Sequence, residues 1–265
     1  MKFVIRDDDL NYFSTSADIE RWYTDVFWEG IPVGFSTIPF VKPESDVYTA
    51  DAPAGSGEQP ISGNAALVAY VEGNPLIEIL QHGTTHETKG RVFEYAGHIP
   101  LGEVKRGREE LERAFSHSFR PIFVPPHDWI DEDGVRAVEA AGMDIIRGRG
   151  AGLRNWLWRW QYTAIFFRML VFKLWYTLHG TVPAYPFVLD FGKHREVCSY
   201  RLEDEDVFAG LEYAKRREGV FVVVTHLHFF TEEKKKRLVT LIERARALGA
   251  ECVAPSALFR RPDRQ

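Results

Sequence analysis

The chain has 265 residues, 45% of them hydrophobic and 27% charged, with a formal net charge of −5. That balance belongs to a globular chain with ample core material; it excludes a disordered chain, and it excludes an electrostatic nucleic-acid binder, whose domain would be basic. The two cysteines, Cys198 and Cys252, form no C-x-x-C pair, which argues against a thiolate zinc site and for two reduced, buried thiols.

In chain order, Phe3 to Arg6 reads as a strand running into Asp7-Asp8-Asp9, and Asp18 to Trp28 as a helix with Ile19, Trp22, Tyr23 and Val26 on one face. The start of the chain lacks the long apolar stretch and small-residue cleavage site of a secretory signal, so a cytoplasmic location is expected. Val33 to Ile38 is a second strand, 42–63 a long Pro/Gly/Ser-rich loop, and Ala65 to Val71 a short helix. Leu76 to Leu80 is a strand entering Gln81-His82-Gly83. Glu103 to Phe115 is an amphipathic helix, Pro121 to Val124 a strand, and Asp131 to Ala141 a helix closed by Gly142. Strands follow at Met143 to Arg147, Phe187 to Phe191 and Val220 to Thr225. A helix from Thr231 to Leu248, closed by Gly249, precedes a last strand at Glu251 to Ala254. No repeat of solenoid period is present.

This alternation favours parallel βα units. Polar residues follow several strands: Asp8 and Asp9, His82, Pro126-His127, His226. A βα barrel places its active site at those strand ends, and an open doubly wound sheet does the same. His82 and His86, four residues apart, converge if the segment turns into a helix, and imidazoles are common ligands for zinc and related metals. Three consecutive acids repel one another unless a cation is near, although a solvated turn or helix cap is the plainer reading of such a run. His226 and His228 share a face by the two-residue period of a strand. The prolines of Pro125-Pro126-His127-Asp128-Trp129 stiffen a loop.

An acid cluster, H-x-x-x-H, a Pro-Pro loop and a strand-terminal histidine, in that order, resemble the polysaccharide deacetylases (NodB-homology, carbohydrate esterase family 4-like), as a divergent branch, over residues 3 to about 230. The resemblance implies one domain over 1–265 with an α/β fold, a distorted (β/α) barrel. It implies a divalent metal, zinc above others, on Asp9, His82 and His86, with Asp8 as catalytic base and His226 as general acid. His228 competes for the acid role, and a slip to Asp7 and Asp8 is open. Pro126, His127, Trp129 and His228 are the implied substrate-binding residues, and a backbone amide near Pro126 an oxyanion donor. The implied activity is removal of an acetyl or similar small acyl group from an amino sugar, polysaccharide or lipid-linked sugar. Another deformylase or amidase activity, or a non-catalytic carbohydrate-binding module, is the alternative. The family's base-orienting arginine has Val124 at its place; Arg6, Arg147 or Arg149 are substitutes. For the acid that tunes the histidine, Asp190 is the candidate.

Residues 151–179 form an aromatic and basic insertion, with Trp156, Trp158, Trp160, Phe167, Phe172, Trp175 and Tyr176 among Arg154, Arg159, Arg168 and Lys173. The charges interrupt any run long enough to cross a bilayer. A helix lying on a membrane surface is one reading, which would make the chain peripheral at the inner face; a packed lid or an oligomer contact are the others.

Overall fold

The computed structural model describes residues 1–42, 57–89, 92–95, 102–149, 163–178, 180 and 183–260. Among them, seven parallel strands follow one another around a closed sheet: β1 (Lys2–Leu10), β2 (Val33–Thr37), β3 (Ile77–His82), β4 (Phe119–Val124), β5 (Asp144–Gly148), β6 (Arg195–Arg201) and β7 (Val220–His226). Each strand pairs with the next. Closure comes from β7 returning to β1, with Lys2 to Asp8 opposite Val220 to His226. The open doubly wound alternative is thereby excluded, and the barrel is the observed architecture. Register breaks within the β1–β2 and β3–β4 pairings distort it.

The described helices are α1 (Ser16–Trp28), α2 (Ala65–Glu72), α3 (Gly102–Ala114), α4 (Glu132–Ala140), α5 (Thr163–Leu178), α6 (Val207–Arg216) and α7 (Glu232–Ala247). Helix α1 begins two residues before the predicted start, because Thr15 caps it and the Asp18 carboxylate in turn accepts from the Thr15 amide. Its predicted face, Ile19, Trp22, Tyr23 and Val26, is buried against Phe3 and Ile5 on the outer side of β1.

Strand alternation sets what points inward. Val4, Leu80, Ile122, Val124, Ile146, Val197 and Val222, from six of the strands, form one cluster with Leu258 and Phe259 of the 3-10 turn Pro255–Leu258 and the residue after it. This apolar layer fills the barrel interior. Counting on by twos toward the strand ends gives Arg6 and Asp8 after Val4, Val224 and His226 after Val222, and His82 after Leu80. The polar residues thus form the layer above the plug.

Strand β6 and helix α6 were not expected from the sequence. The β6 segment does not read as an apolar run because Glu196, on its outward side beside the apolar Cys198 and Tyr200, joins a buried polar network. His194 bridges Glu139 (2.9 Å) and Glu196 (3.0 Å), and Arg147 pairs with Glu196 (3.1 Å). Burial opposes charge on His194, but the two carboxylates raise its pKa above the ordinary value. Burial likewise opposes the charge of Glu196, yet Arg147 and His194 hold it low. A raised imidazole stabilises fully below its unfolded value and loses that contribution as pH rises through the folded one; a lowered carboxylate contributes above its own unfolded value. The network therefore contributes most between about pH 4.5 and 6.5. His194→Gln is expected to cost about 1–3 kcal/mol near the acid end of that window and clearly less in alkaline buffer. Equal losses in the two buffers would refute the linkage.

Two of the other expectations change. The predicted strand 187–191 contracts to Leu189–Asp190, antiparallel to β6 and outside the barrel. The last strand is Glu251–Cys252, beside the start of β1. Both cysteines are unpaired with each other; Cys198 is buried, which pushes its thiol up to about 11, and Cys252 is half-buried. Of the predicted loop, 43–56 lies outside the described residues, as do 151–162 and 179 of the aromatic insertion.

Candidate active site

Successive residues of a strand face opposite ways, so Asp8 and Asp9 can share a cleft only if the strand breaks its alternation. It does so: Asp7 stands opposite Phe35 and Leu10 opposite Thr37, three residues advancing against two, and Asp9 has φ 73°. Asp7 faces the other way. Its carboxylate accepts from Thr225 Oγ1 (2.7 Å), the Leu227 amide (2.9 Å) and Tyr23 Oη. Burial pushes its pKa up to about 7 although those donors favour the anion. Asp7 is therefore a packing residue between β1, β7 and α1, and Asp8 and Asp9 are the pair that enters the cleft.

The second arm of the site is the turn after β3. Gly83 (φ 60°) and His86 (φ 56°) bend it sharply. The Glu94 carboxylate holds it by accepting from the amides of Thr84 (3.1 Å), Thr85 (2.8 Å) and His86 (2.9 Å). No helix forms there; the two imidazoles converge because of the turn. A Cβ on Gly83 would press on Glu94 and Pro126. Gly83→Ala is expected to cost more than the roughly 1–2 kcal/mol of left-handed backbone strain alone, and to weaken metal uptake by displacing His86. An unchanged melting temperature would count against this role of the turn.

Asp9, His82 and His86 are all buried, with donor atoms within 4.8 Å of one another. His82 Nε2 lies 3.2 Å and His86 Nε2 3.5 Å from Asp9 Oδ1. The other nitrogen of His82, Nδ1, is 3.0 Å from the Val124 carbonyl; donation there leaves Nε2 as the coordinating atom, the arrangement metal-bound histidines usually have. Burial opposes charge on Asp9, but the hydrogen bond from His82 and the nearby imidazoles hold its carboxyl far below the usual range. His82 is raised in turn by Asp9 and Asp8 against the effect of burial. Two imidazoles and an ionised carboxylate, sequestered and mutually oriented, fit a divalent cation.

Beside them, Arg6 Nη2 pairs with Asp8 Oδ2 at 2.8 Å and Ser36 Oγ donates to Asp8 Oδ1. Burial raises the Asp8 pKa less than Arg6, His82 and His226 lower it, so the net shift is downward. Arg6 also approaches Asp128 (3.5 Å) and donates to the Ile146 carbonyl (3.3 Å). Of the three candidate arginines, Arg6 is thus the one that pairs with Asp8, two residues before it on the same strand. Arg147 belongs to the Glu196 network, and Arg149 pairs with Asp204 and Asp206.

His226 ends β7 directly opposite Asp8 in register. Both line a cleft of about 410 Å³ with Asp9, His82, His86 and His127. Its wall includes Asp128, Arg201, Glu203, Phe229 and Lys234, none of which sequence reading had placed there. Arg201 ends β6, so recognition of that strand would have placed it. Glu203, paired with Lys234 and electrostatically coupled to His226, stands where Asp190 was expected. Asp190 is exposed and binds the Gly192 amide instead. His228 lies outside the cleft lining, its Nε2 3.2 Å from Ser14 Oγ and 3.5 Å from Asn11 Nδ2; burial lowers its pKa. Trp129 is exposed, and Pro126 supports Gly83 from behind; neither lines the cleft. The amides of Asp128 and Trp129 donate to the Pro125 and Pro126 carbonyls, so these two are not oxyanion donors.

No protein-family model matches the sequence, and no curated protein does. Solved structures do match. A family 4 carbohydrate esterase from Streptomyces lividans, in complex with acetate, superposes with a TM-score of 0.51 at 11% identity, covering 97% of this chain and 95% of that one. The fold is that of the family 4 carbohydrate esterases. The Bc1960 peptidoglycan N-acetylglucosamine deacetylase matches with a TM-score of 0.51 at 11% identity, over 100% of this chain and 90% of that one. A family 4 pseudoenzyme from Bacillus anthracis matches with a TM-score of 0.50 at 11% identity, over 98% of this chain; this chain spans 66% of the pseudoenzyme's length.

Proposed function

We propose that this chain is a metal-dependent hydrolase that removes an acetyl or similarly small acyl group from an amino sugar in a polysaccharide or lipid-linked glycan. The observation that carries the reading is the meeting, at the strand ends of one barrel, of the Asp9–His82–His86 trio with an arginine-paired Asp8 and with His226. A divalent ion on the trio, zinc being the one this donor set suits best, would supply Lewis acidity for the carbonyl and acidify the attacking water. The remaining work falls to side chains. Asp8, kept ionised and aimed by Arg6 and Ser36, takes the proton of the water. His226, beside it at the end of the neighbouring strand, delivers a proton to the departing amine. His127, Arg201 and Phe229 line the space left for the sugar.

A pseudoenzyme with this fold makes a non-catalytic carbohydrate binder the competing reading. Here Asp8, its arginine and the strand-end histidine accompany the trio, which binding alone does not require. The test is release of acetate from N-acetylated glucosamine oligomers, and of formate from formylated ones, by metal-loaded protein. Asp8→Asn is expected to lower the rate by about 10²–10⁴-fold while still binding metal. Absence of both products from metal-loaded wild type would sink the hydrolase reading.

A further inference from the structure

Helix α5 is apolar on both sides. Met169 is buried, and Ile165 and Phe172 pack on the core. On the opposite side Phe167, Val171, Leu174, Trp175 and Leu178 are each more than half exposed. Their spacing, i, i+4, i+7, i+8 and i+11, makes them one continuous stripe. A helix apolar all round belongs in a core or in lipid, and a stripe of this kind on a surface marks an interaction site. Among the described residues no helix is long and apolar enough to cross a membrane.

The charges around the stripe identify the occupant. Helix α5 contains no Asp or Glu. A groove of about 330 Å³ beside it is lined by Trp175, Tyr176 and Phe187 together with Arg168 and Arg217. Arg168 lies over the Tyr185 ring, and Arg216 and Arg217 over Tyr213. Glu218, the acid next in sequence, is already paired with Lys215 and the N-terminal amine. The chain as a whole is anionic, so a cationic, aromatic-rimmed apolar face stands against its net charge. A second copy docked by the same face would set arginines against arginines. Anionic lipid suits every part: acyl chains for the stripe, the interfacial layer for Trp175 and Tyr176, and phosphates for the guanidinium groups.

We propose that α5 is a monotopic docking surface for an anionic lipid bilayer, lying in the plane of the interface. The proposal stands on its own, whatever the cleft hydrolyses. The experiment is flotation of the full chain with phosphatidylcholine vesicles, with and without phosphatidylserine, alongside sedimentation without lipid. Wild type is expected to float with the phosphatidylserine vesicles and to be released by salt. The pairs Leu174→Glu with Leu178→Glu, and Arg168→Glu with Arg217→Glu, are each expected to reduce bound protein about tenfold or more. No wild-type flotation, or undiminished flotation of the leucine pair, overturns the proposal. So does a lipid-indifferent wild-type dimer that the leucine pair dissociates, which would assign the stripe to a second copy. Acetate release from a soluble sugar by the same variants, unchanged from wild type, shows that their cleft is intact and keeps a failure here distinct from a failure of the hydrolase reading.

Discussion

Replacing Arg6 with leucine is expected to destabilise the protein by about 3–5 kcal/mol and to reduce turnover to nearly that of Asp8→Asn. The Arg6 guanidinium is buried to the last atom among the interior residues of the barrel, where it meets Asp8, Asp128 and the Ile146 carbonyl. Without it, Asp8 becomes a buried carboxylate without its main countercharge, and burial, the largest influence on its pKa, is opposed less, so that pKa is expected to rise. A base that holds its proton cannot accept one from water. The double variant Arg6→Leu with Asp8→Asn removes the stranded charge, so it is expected to recover part of the lost stability while staying inactive. Urea titrations of the four proteins give the coupling directly. An Arg6→Leu protein as stable as wild type would show that the pair does not hold the interior layer together.

The second large effect is expected from His82→Ala. Removing a group that merely orients a metal ligand typically costs about 10–100-fold in affinity, so loss of a ligand itself is expected to cost at least that much. The neighbouring imidazole cannot substitute, because the Glu94-bound turn fixes His86 in its own position 3.5 Å from Asp9. Acyl release should fall to background at ordinary metal concentrations. Metal content and turnover both at wild-type level in this variant would remove His82 from the site. His228→Ala, by contrast, takes away a residue that buttresses the β1 end through Ser14 and Asn11, and is expected to leave metal content intact.

Much of the barrel was legible because most of its strands are short apolar runs, those of β1, β3 and β7 ending in acids or histidines, and because the buried faces of α1, α3, α4 and α7 repeat with helical period. What was not legible has physical reasons. β6 is buried through Glu196 and Ser199, whose hydrogen bonds and ion pairs replace apolar contact, so it lacks the composition of a buried strand. With β6 unseen, Arg201 and Glu203 at its end were unseen too. The triple aspartate left the register open, since three identical residues carry no phase; the bulge and the left-handed Asp9 decide it, and both are properties of pairing with β2. The arginine beside Asp8 was open among Arg6, Arg147 and Arg149; Arg6 is the one that reaches the acid, along its own strand, two residues being one side-chain repeat. Glu94 carries no sequence signal at all: its role is to collect amides of a turn that lies eight to ten residues earlier.

The central claim is that Asp9, His82 and His86 surround one divalent ion. X-ray absorption spectroscopy on the protein loaded with one equivalent of zinc or cobalt reads the ligands directly. The account predicts a light-atom shell with the multiple scattering of two imidazoles, reduced to one imidazole in His86→Ala and lost with bound metal in Asp9→Ala. A spectrum without imidazole scattering, or one that these substitutions leave unchanged, would contradict it.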